Sequence, residues 1–487
     1  MKLFLRLVAA AWCCCAATGL SAHSGKARFH LIVDTDGAAD DLRTICMLLG
    51  NREAEVLAIT TSEGALEPLP AARRAAALLA EFHHEGIPVG AGRRTGLPAP
   101  PWRAHSERIV WGAPLSDTLR FAGARELILS ALAGEEEPVI FVALGSLTNL
   151  HDALEADPSA ANRIGRIVWY DDTPQTGEGA NFRADRRAAS AVLASGIPVE
   201  IVSEAAGEPI PVTRRWLDSV ACVPTVYARK IAATHRAAPL ARLVDEGHLR
   251  GWDDLVVVRL FAPEAFECEP AGGTAVFCRP AGDDAAGRVR AAALSVLRGK
   301  PDAESRVFYG FPAEPGLYAA DVAPWIDEAI ARHGPSEWRA AVLTNEMHGH
   351  LGIYATIGVK MGIRAREYFN IGVDDIRVVT RAGNRPPVSC MNDGLQVGTG
   401  ASLGHGLIVV DTCAPPRPEA RFTFKDKSIR LALKPAYAER IRRDVQRGIA
   451  LHGDLTEPYW QYIRELALKY WCEFDRHEIF DLTPEAH

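Results

Sequence analysis

The stretch Val33-Asp34-Thr35-Asp36-Gly37-Ala38-Ala39-Asp40-Asp41-Leu42 puts four carboxylates within eight positions. It follows Phe29 to Val33, a run of buried-strand type, and leads into Ala38 to Leu49, which reads as a helix. Side chains two apart on an extended segment share a face, so Asp34 and Asp36 aim together at the loop mouth. Asp40 and Asp41 fall in the first helical turn, where the helix dipole tolerates negative charge. Four carboxylates this close repel one another. A hard dication with oxygen ligands removes that repulsion, and Ca2+ suits a loose set of carboxylates and carbonyls. N-capping by solvated acids is the competing explanation for any single Asp before a helix.

Outward from this loop the pattern repeats. Glu55 to Thr60, Ile87 to Ala91, Pro138 to Ala143, Arg166 to Tyr170 and Pro198 to Val202 read as strands. Ala71 to Phe82 and Ala184 to Ala194 read as helices between them. The alternation predicts an α/β fold with an open, mostly parallel sheet and helices on both faces. Ligands of such sheets bind beyond the carboxyl ends of the strands. The polar groups fall there: Asp34-Thr-Asp36, Leu144-Gly-Ser146 and Asp171-Asp172.

The chain has 487 residues, more than one ordinary core accommodates, so two units are expected. With 48% hydrophobic and 24% charged residues the profile is globular. A net charge of -7 argues against a nucleic-acid surface, which needs clustered Lys and Arg. Residues 1–22 read as a secretory signal: Lys2 and Arg6, then the apolar run Leu7 to Ala17, then Leu20-Ser21-Ala22. That run is shorter than the roughly 20 residues of a membrane span. No stable span and a secreted or periplasmic location are therefore expected. Seven cysteines remain beyond the signal, and Cys268 and Cys278 bracket a Gly-rich turn suited to a hairpin disulfide. The texture changes near Gly334-Pro335, after an amphipathic segment Val322 to His333. The first unit is placed at 27–333 and a second at 336–480.

The acidic loop and the motifs behind it resemble the inosine/uridine-preferring nucleoside hydrolase family, whose signature is Asp-x-Asp-x-x-x-Asp-Asp. Further matches follow in order: Ile87-Pro-Val-Gly-Ala-Gly92, Leu144-Gly-Ser-Leu-Thr-Asn149, Asn181 four before Asp185, and Trp252-Asp253-Asp254-Leu255. The resemblance implies hydrolysis of an N-glycosidic bond in a small nucleoside-like substrate. It implies a Ca2+ site of Asp36, Asp41, Asp253 and the Leu144 carbonyl, with Asp34 beside it. Asp36 would be general base, Asp40 and Asn181 would hold the sugar, and His105 would lie in a sugar-side loop. Trp252 would stack on the leaving base; a core aromatic is its other reading, as a plain loop residue is for His105. The chain departs from the family at Ala65, where an Asn is usual, at Tyr170-Asp171-Asp172, and at Gly179, where an acid is usual although Glu178 is adjacent.

In the second unit, His348-Gly-His350 reads as the head of a helix, and Cys390-Met-Asn-Asp393-Gly-Leu-Gln396 follows. Two His and a Cys suit Zn2+ or another transition metal. With Thr399-Gly400 and Gly404-His405-Gly406, the segment resembles the FmdE family, named for the molybdenum formylmethanofuran dehydrogenase operon. That implies a smaller α+β metal-binding unit. Three functional readings stay open: a nucleosidase, an eroded scaffold that binds a sugar or metal, and metal chemistry centred on the second unit. A homo-oligomer is compatible with each.

Overall fold

The computed structural model describes residues 27–485 except 97, 117, 173–174, 176, 178, 205–209, 300–306, 309, 374 and 414. The expected signal at 1–22 and Glu178 lie outside the described residues. The strands of the first sheet are β1 (Phe29–Thr35), β2 (Ala54–Thr61), β3 (Val89–Ala91), β4 (Ala122–Gly123), β5 (Val139–Ala143), β6 (Ile164–Tyr170), β7 (Val199–Val202), β8 (Phe266–Gly272) and β9 (Ala275–Pro280). Their order is β4-β3-β2-β1-β5-β6-β7-β9-β8. All neighbours run parallel except β8 and β9, an antiparallel edge hairpin closed by the Cys268–Cys278 disulfide.

Every residue of β1 and β5 is buried, as central strands covered on both faces require. Leu31 and Val33 enter one apolar cluster with Leu42, Ile45 and Leu255, while Ile32 enters another with Phe141, Ile167 and Trp169. That alternation places β1 between two helical layers. The chain builds outward from β1 through β2, β3 and β4, then returns to place β5 on the other side of β1. The switch point thus lies between β1 and β5, and the acidic loop emerges at its carboxyl end.

The second sheet contains β10 (Arg377–Thr380), β11 (Ile408–Val410), β12 (Glu419–Phe424), β13 (Lys427–Leu433) and β14 (Phe480–Glu485), in the order β11-β10-β12-β13-β14. The helices Ile353–Phe369 and Met391–Thr399 pack backbone to backbone over it. A side chain at Gly358 would meet Met391 O at 2.1 Å and one at Gly394 would meet Ala355 O at 1.9 Å, so only glycine fits. The helix Ile326–His333, read from sequence as the end of the first unit, packs with the second: Val322 and Ile326 share a cluster with Trp338 and Trp471.

The His pair departs from the sequence expectation. His348 is the last residue of the helix Pro335–His348, and the next helix begins at Ile353, so the pair occupies a turn rather than a helix head. Gly349, at φ +80°, supplies the left-handed residue that ends the first helix.

The two units meet at the amino ends of the first sheet's strands. The β12–β13 hairpin projects Lys425 onto Glu55, early in β2, at 2.5 Å and onto Glu135, before β5, at 2.6 Å. His30, early in β1, lies 3.2 Å from the same Glu135 carboxylate. Before β3, Gly86 N donates to Tyr368 O at 2.9 Å, and Glu85 pairs with Arg364 at 3.0 Å. Among the described residues no helix is long and apolar enough to cross a membrane.

Lys425→Ala leaves Glu55 and Glu135 facing each other without their cation. We expect a stability loss of about 1–3 kcal/mol, below the 3–5 of a fully buried pair because Lys425 is 31% exposed. Urea unfolding checks this; parental stability in the variant would show that the joint does not depend on Lys425.

Candidate active site

β1 delivers Asp34 to the switch point fully buried. Asp34 Oδ2 accepts from Thr60 Oγ1 and Asn149 Nδ2, each at 2.6 Å, and its carbonyl accepts from Leu144 N at 2.9 Å. These bonds tie the ends of β1, β2 and β5 together. Burial pushes the Asp34 carboxyl up to about 6. Asp34 thus ties the strand ends together through Oδ2, while its Oδ1 is buried without a hydrogen-bond partner.

Beyond it, Asp36 Oδ1 accepts from Ala38 N at 3.1 Å and Oδ2 from Ala65 N at 2.9 Å. Asp41 Oδ2 accepts from Thr35 Oγ1 at 2.6 Å and from Asp36 N at 2.9 Å. Asp40, Asp41 and Asp253 are 8%, 1% and 3% exposed, and one oxygen of each lies within 4.8 Å of the others. Burial and then mutual repulsion hold Asp41 and Asp253 well above the usual carboxylate range. Burial pushes Asp40 up to about 6 although Arg43 opposes the shift, and burial does the same to Asp36.

Capping does not explain this cluster. Asp253 stands at the start of the helix Asp254–Phe261 yet makes no side-chain cap bond, and its Oδ1 is buried without a hydrogen-bond partner. Three converging carboxylates with an orphaned oxygen form an all-oxygen donor set that fits a hard divalent cation.

The cluster is assembled by a neighbouring ion pair. Arg43, fully buried one turn after Asp40, donates from Nε to both oxygens of Asp254 at 2.8 and 3.0 Å. Its Nη2 donates to Arg250 O at 3.0 Å, and Nη1 meets His235 Nε2 at 2.9 Å. Burial and then Arg43 push His235 down to about 3, so it is the neutral acceptor here, with Nδ1 donating to Ile231 O. Fixing Arg43 to Asp254 turns Asp40 and Asp41 toward Asp253.

Two comparisons bear on this arrangement. Residues 31–305 match the family model for inosine-uridine preferring nucleoside hydrolase, more than half of the chain. The chain belongs to that family. Residues 347–481 match the model for FmdE, molybdenum formylmethanofuran dehydrogenase operon. Among curated proteins, a pyrimidine-specific ribonucleoside hydrolase RihA of Escherichia coli (strain SMS-3-5 / SECEC) is 31% identical over 180 residues, 35% of this chain and 58% of that protein. A probable uridine nucleosidase 1 of Oryza sativa subsp. japonica is 29% identical over 189 residues, 36% of this chain and 58% of its own length. The chain thus spans little more than half the length of these relatives. Among solved structures, a purine-preferring ribonucleoside hydrolase from Gardnerella vaginalis aligns at 21% identity and a TM-score of 0.46, over 55% of this chain and 98% of that one.

In this nucleoside hydrolase-family unit the other residues named from the sequence lie as follows. Leu144 O accepts from Asn181 Nδ2 at 3.1 Å, and the same amide donates to Tyr170 O at 2.9 Å. Both amide hydrogens of Asn181 are engaged, which leaves its carbonyl oxygen for a ligand. Trp252 is half-buried against the core, immediately before Asp253. His105 lies on the short helix Arg103–Ser106, its Nε2 buried without a hydrogen-bond partner. No bond joins His105 to the acidic cluster.

Sequence reasoning missed three neighbours. Arg103, on the same short helix, donates to Gly64 O at 2.8 Å, and its charge lowers Asp36. Asp171, 3% exposed and pushed up to about 7 by burial, accepts from Phe182 N at 2.5 Å and pins the turn that carries Asn181. The Tyr170 phenol stands in the field of Asp253, Glu204 and Asp40; burial first and those charges next raise its pKa, so it remains a donor. Both were flagged in the sequence by their departure from the family pattern, and Asp171 also by its place beyond a strand end, but neither was given a role.

In the FmdE-matching unit, His348 and His350 have ring centroids 4.4 Å apart, and His348 Nδ1 lies 2.7 Å from Asp393 Oδ2. Cys390 is a free, half-buried thiol. Among the described residues, His348, His350 and Cys390 do not form a group with three ligand atoms within 4.8 Å, unlike the acidic triad.

Two outcomes are expected. With carboxyls raised to about 6 and above, the metal-free folded chain holds protons that the unfolded chain releases near pH 4. Its stability therefore falls as pH rises from about 4 through 6. A cation needs the ionised form, so millimolar Ca2+ should raise Tm more at pH 7.5 than at pH 5, and where Ca2+ stands at a hundredfold excess over Kd the stabilisation is about 2.7 kcal/mol. An equal gain at both pH values would argue against carboxylate ligation. Separately, Asp254→Ala strands the buried Arg43 and should cost about 3–5 kcal/mol in denaturant unfolding; a near-neutral result would remove the ion pair as organiser.

Proposed function

We propose that the first unit is a calcium-dependent N-glycosidase that hydrolyses a nucleoside to free base and pentose. The observation that carries this reading is the buried Asp40–Asp41–Asp253 triad at the switch point, with Asp36 on its edge. The names of the curated relatives, a ribonucleoside hydrolase and a uridine nucleosidase, support the substrate class.

Asp36, Asp41, Asp253 and the Leu144 carbonyl would hold the cation, with Asp40 beside them. Ca2+ when bound supplies the charge that acidifies a water molecule at neutral pH. Asp36, raised to about 6 and ionised at neutral pH, takes the proton of the attacking water. Its two backbone N–H bonds fix the carboxylate so that little reorganisation accompanies that transfer. Asp40 and the Asn181 carbonyl oxygen accept from sugar hydroxyls. As the glycosidic bond breaks, the sugar gains oxocarbenium character, and the surrounding carboxylates stabilise that positive charge. Trp252 stacks on the departing base, and Tyr170 donates to an acceptor atom of the substrate.

The sugar side favours a second reading. Ala65 and Gly179 present no polar side chain where relatives of this family carry Asn and an acid. A scaffold lacking those contacts would bind sugar or metal without turnover. Export of the protein rests on the signal-like residues 1–22 and is supported by the Cys268–Cys278 disulfide, a bond that persists in oxidising compartments.

The test is base release from a nucleoside panel by the purified chain, with Ca2+ and with chelator. Release that needs Ca2+ is expected, and Asp36→Asn should lower kcat/KM about 10²–10⁴-fold while the metal-free chain stays folded. Folded, calcium-loaded protein that binds a nucleoside but releases no base would leave only the binding-protein reading.

A further inference from the structure

The carboxylate of Asp36 rests on a glycine turn whose freedom a second residue removes. Glu63, Gly64 and Ala65 follow β2, and Ala65 N donates to Asp36 Oδ2 at 2.9 Å. A side chain at Gly64 would meet that same oxygen at 2.1 Å and Asp36 Cβ at 2.7 Å, so glycine is what lets the carboxylate approach the turn. Glycine also leaves the peptide between residues 64 and 65 free to rotate in ways a side chain would restrain.

Arg103 takes that freedom away. Its Nε and Nη2 both donate to Gly64 O, at 3.3 and 2.8 Å. The carbonyl of Gly64 and the N–H of Ala65 belong to one planar peptide unit and point in opposite directions. A guanidinium that fixes the oxygen on one side therefore fixes the N–H on the other, where Asp36 Oδ2 accepts it. A charge-assisted bond at the carbonyl also polarises the amide and strengthens its N–H as a donor. The Arg103 side chain is 11% exposed, so water competes weakly for its donors.

Tying down a neighbouring segment does not account for Arg103. That task falls to Glu63, whose Oε2 accepts from Thr95 N at 2.5 Å, Thr95 Oγ1 at 2.7 Å and Gly96 N at 3.2 Å. Its other oxygen stands 3.7 Å from Arg103 Nη2, close enough to orient the guanidinium by charge. Three consecutive residues thus face three partners: Glu63 holds the residues beyond β3, Gly64 the arginine, and Ala65 the base.

We propose that Arg103 is a positioning residue for Asp36, acting through the Gly64–Ala65 peptide to hold the carboxylate in the orientation that receives the proton of the attacking water. The catalytic half of this rests on the nucleosidase reading; the clamp on the peptide does not. Arg103 acts on the step in which the proton moves, so its loss lowers kcat and leaves KM near the parental value.

The experiment uses the full chain and two readouts. Amide hydrogen exchange is followed by mass spectrometry on the metal-free protein, over peptides that cover residues 62–67. Base release from the nucleoside panel is measured at saturating Ca2+. Arg103→Ala should exchange faster over 62–67 and lose kcat about 10–100-fold at parental KM. Arg103→Lys keeps the charge without the two-pronged grip and should fall between; it replaces Arg103→Ala should that variant not fold. Thr95→Val removes one bond of the Glu63 tie, leaves Gly64 alone, and should match the parent in both readouts. Parental exchange over 62–67 in the Arg103 variants overturns the clamp. Faster exchange with parental kcat, or a change in KM alone, overturns the positioning role, as does an equal loss of kcat in Thr95→Val. A folded, calcium-loaded parent that releases no base overturns the nucleosidase reading and the catalytic half with it, while the exchange result still decides the clamp.

Discussion

The buried Arg43–Asp254 pair is the constraint on which the first unit depends. Its partners are 211 residues apart, and Arg43 is fully shielded from water. An unpaired guanidinium at that position is not tolerable, so the helices Ala39–Leu49 and Asp254–Phe261 must meet in one register. Each helix carries acids of the triad beside its half of the pair: Asp40 and Asp41 three and two residues before Arg43, and Asp253 immediately before Asp254. Satisfying the ion pair therefore also sets the spacing of the acidic triad. Arg43 further offsets part of the repulsion among acids that burial alone would leave uncompensated. The strand ends are tied separately, by Asp34 to Thr60 and Asn149.

Much of this architecture was legible because its signals are local. Central parallel strands are buried on both faces, so β5 reads as an unbroken apolar run and β1 as Leu31-Ile32-Val33, with the Asp-rich stretch beginning at its carboxyl end. The Cys268–Cys278 bridge was legible from the Gly-rich turn it brackets. The partners of those signals were not. Nothing in the order of residues links Arg43 to Asp254, or Arg103 to Gly64, because such contacts are made by crossovers. Tyr170 registered only as a departure from a pattern and Asp171 also as a polar residue beyond a strand end, and their chemistry came from what folds against them. The His348 turn was misread for a different reason: a helix that ends at a glycine and one that begins just beyond it share the same apolar texture.

The two candidate sites obey opposite chemical rules. The triad gathers oxygen ligands in a buried pit, where burial and neighbouring charge hold Asp41 and Asp253 well above the usual carboxylate range. The second unit instead sets His348 Nδ1 2.7 Å from Asp393 Oδ2, with the His350 ring beside it.

The Lys425 joint has a consequence for how the halves work together. It engages the amino ends of β2 and β5, which flank β1, whereas the acidic pit opens at the carboxyl end of β1, so the length of β1, about 20 Å at 3.3 Å per residue, lies between them. The joint therefore holds the halves together without lining the pit.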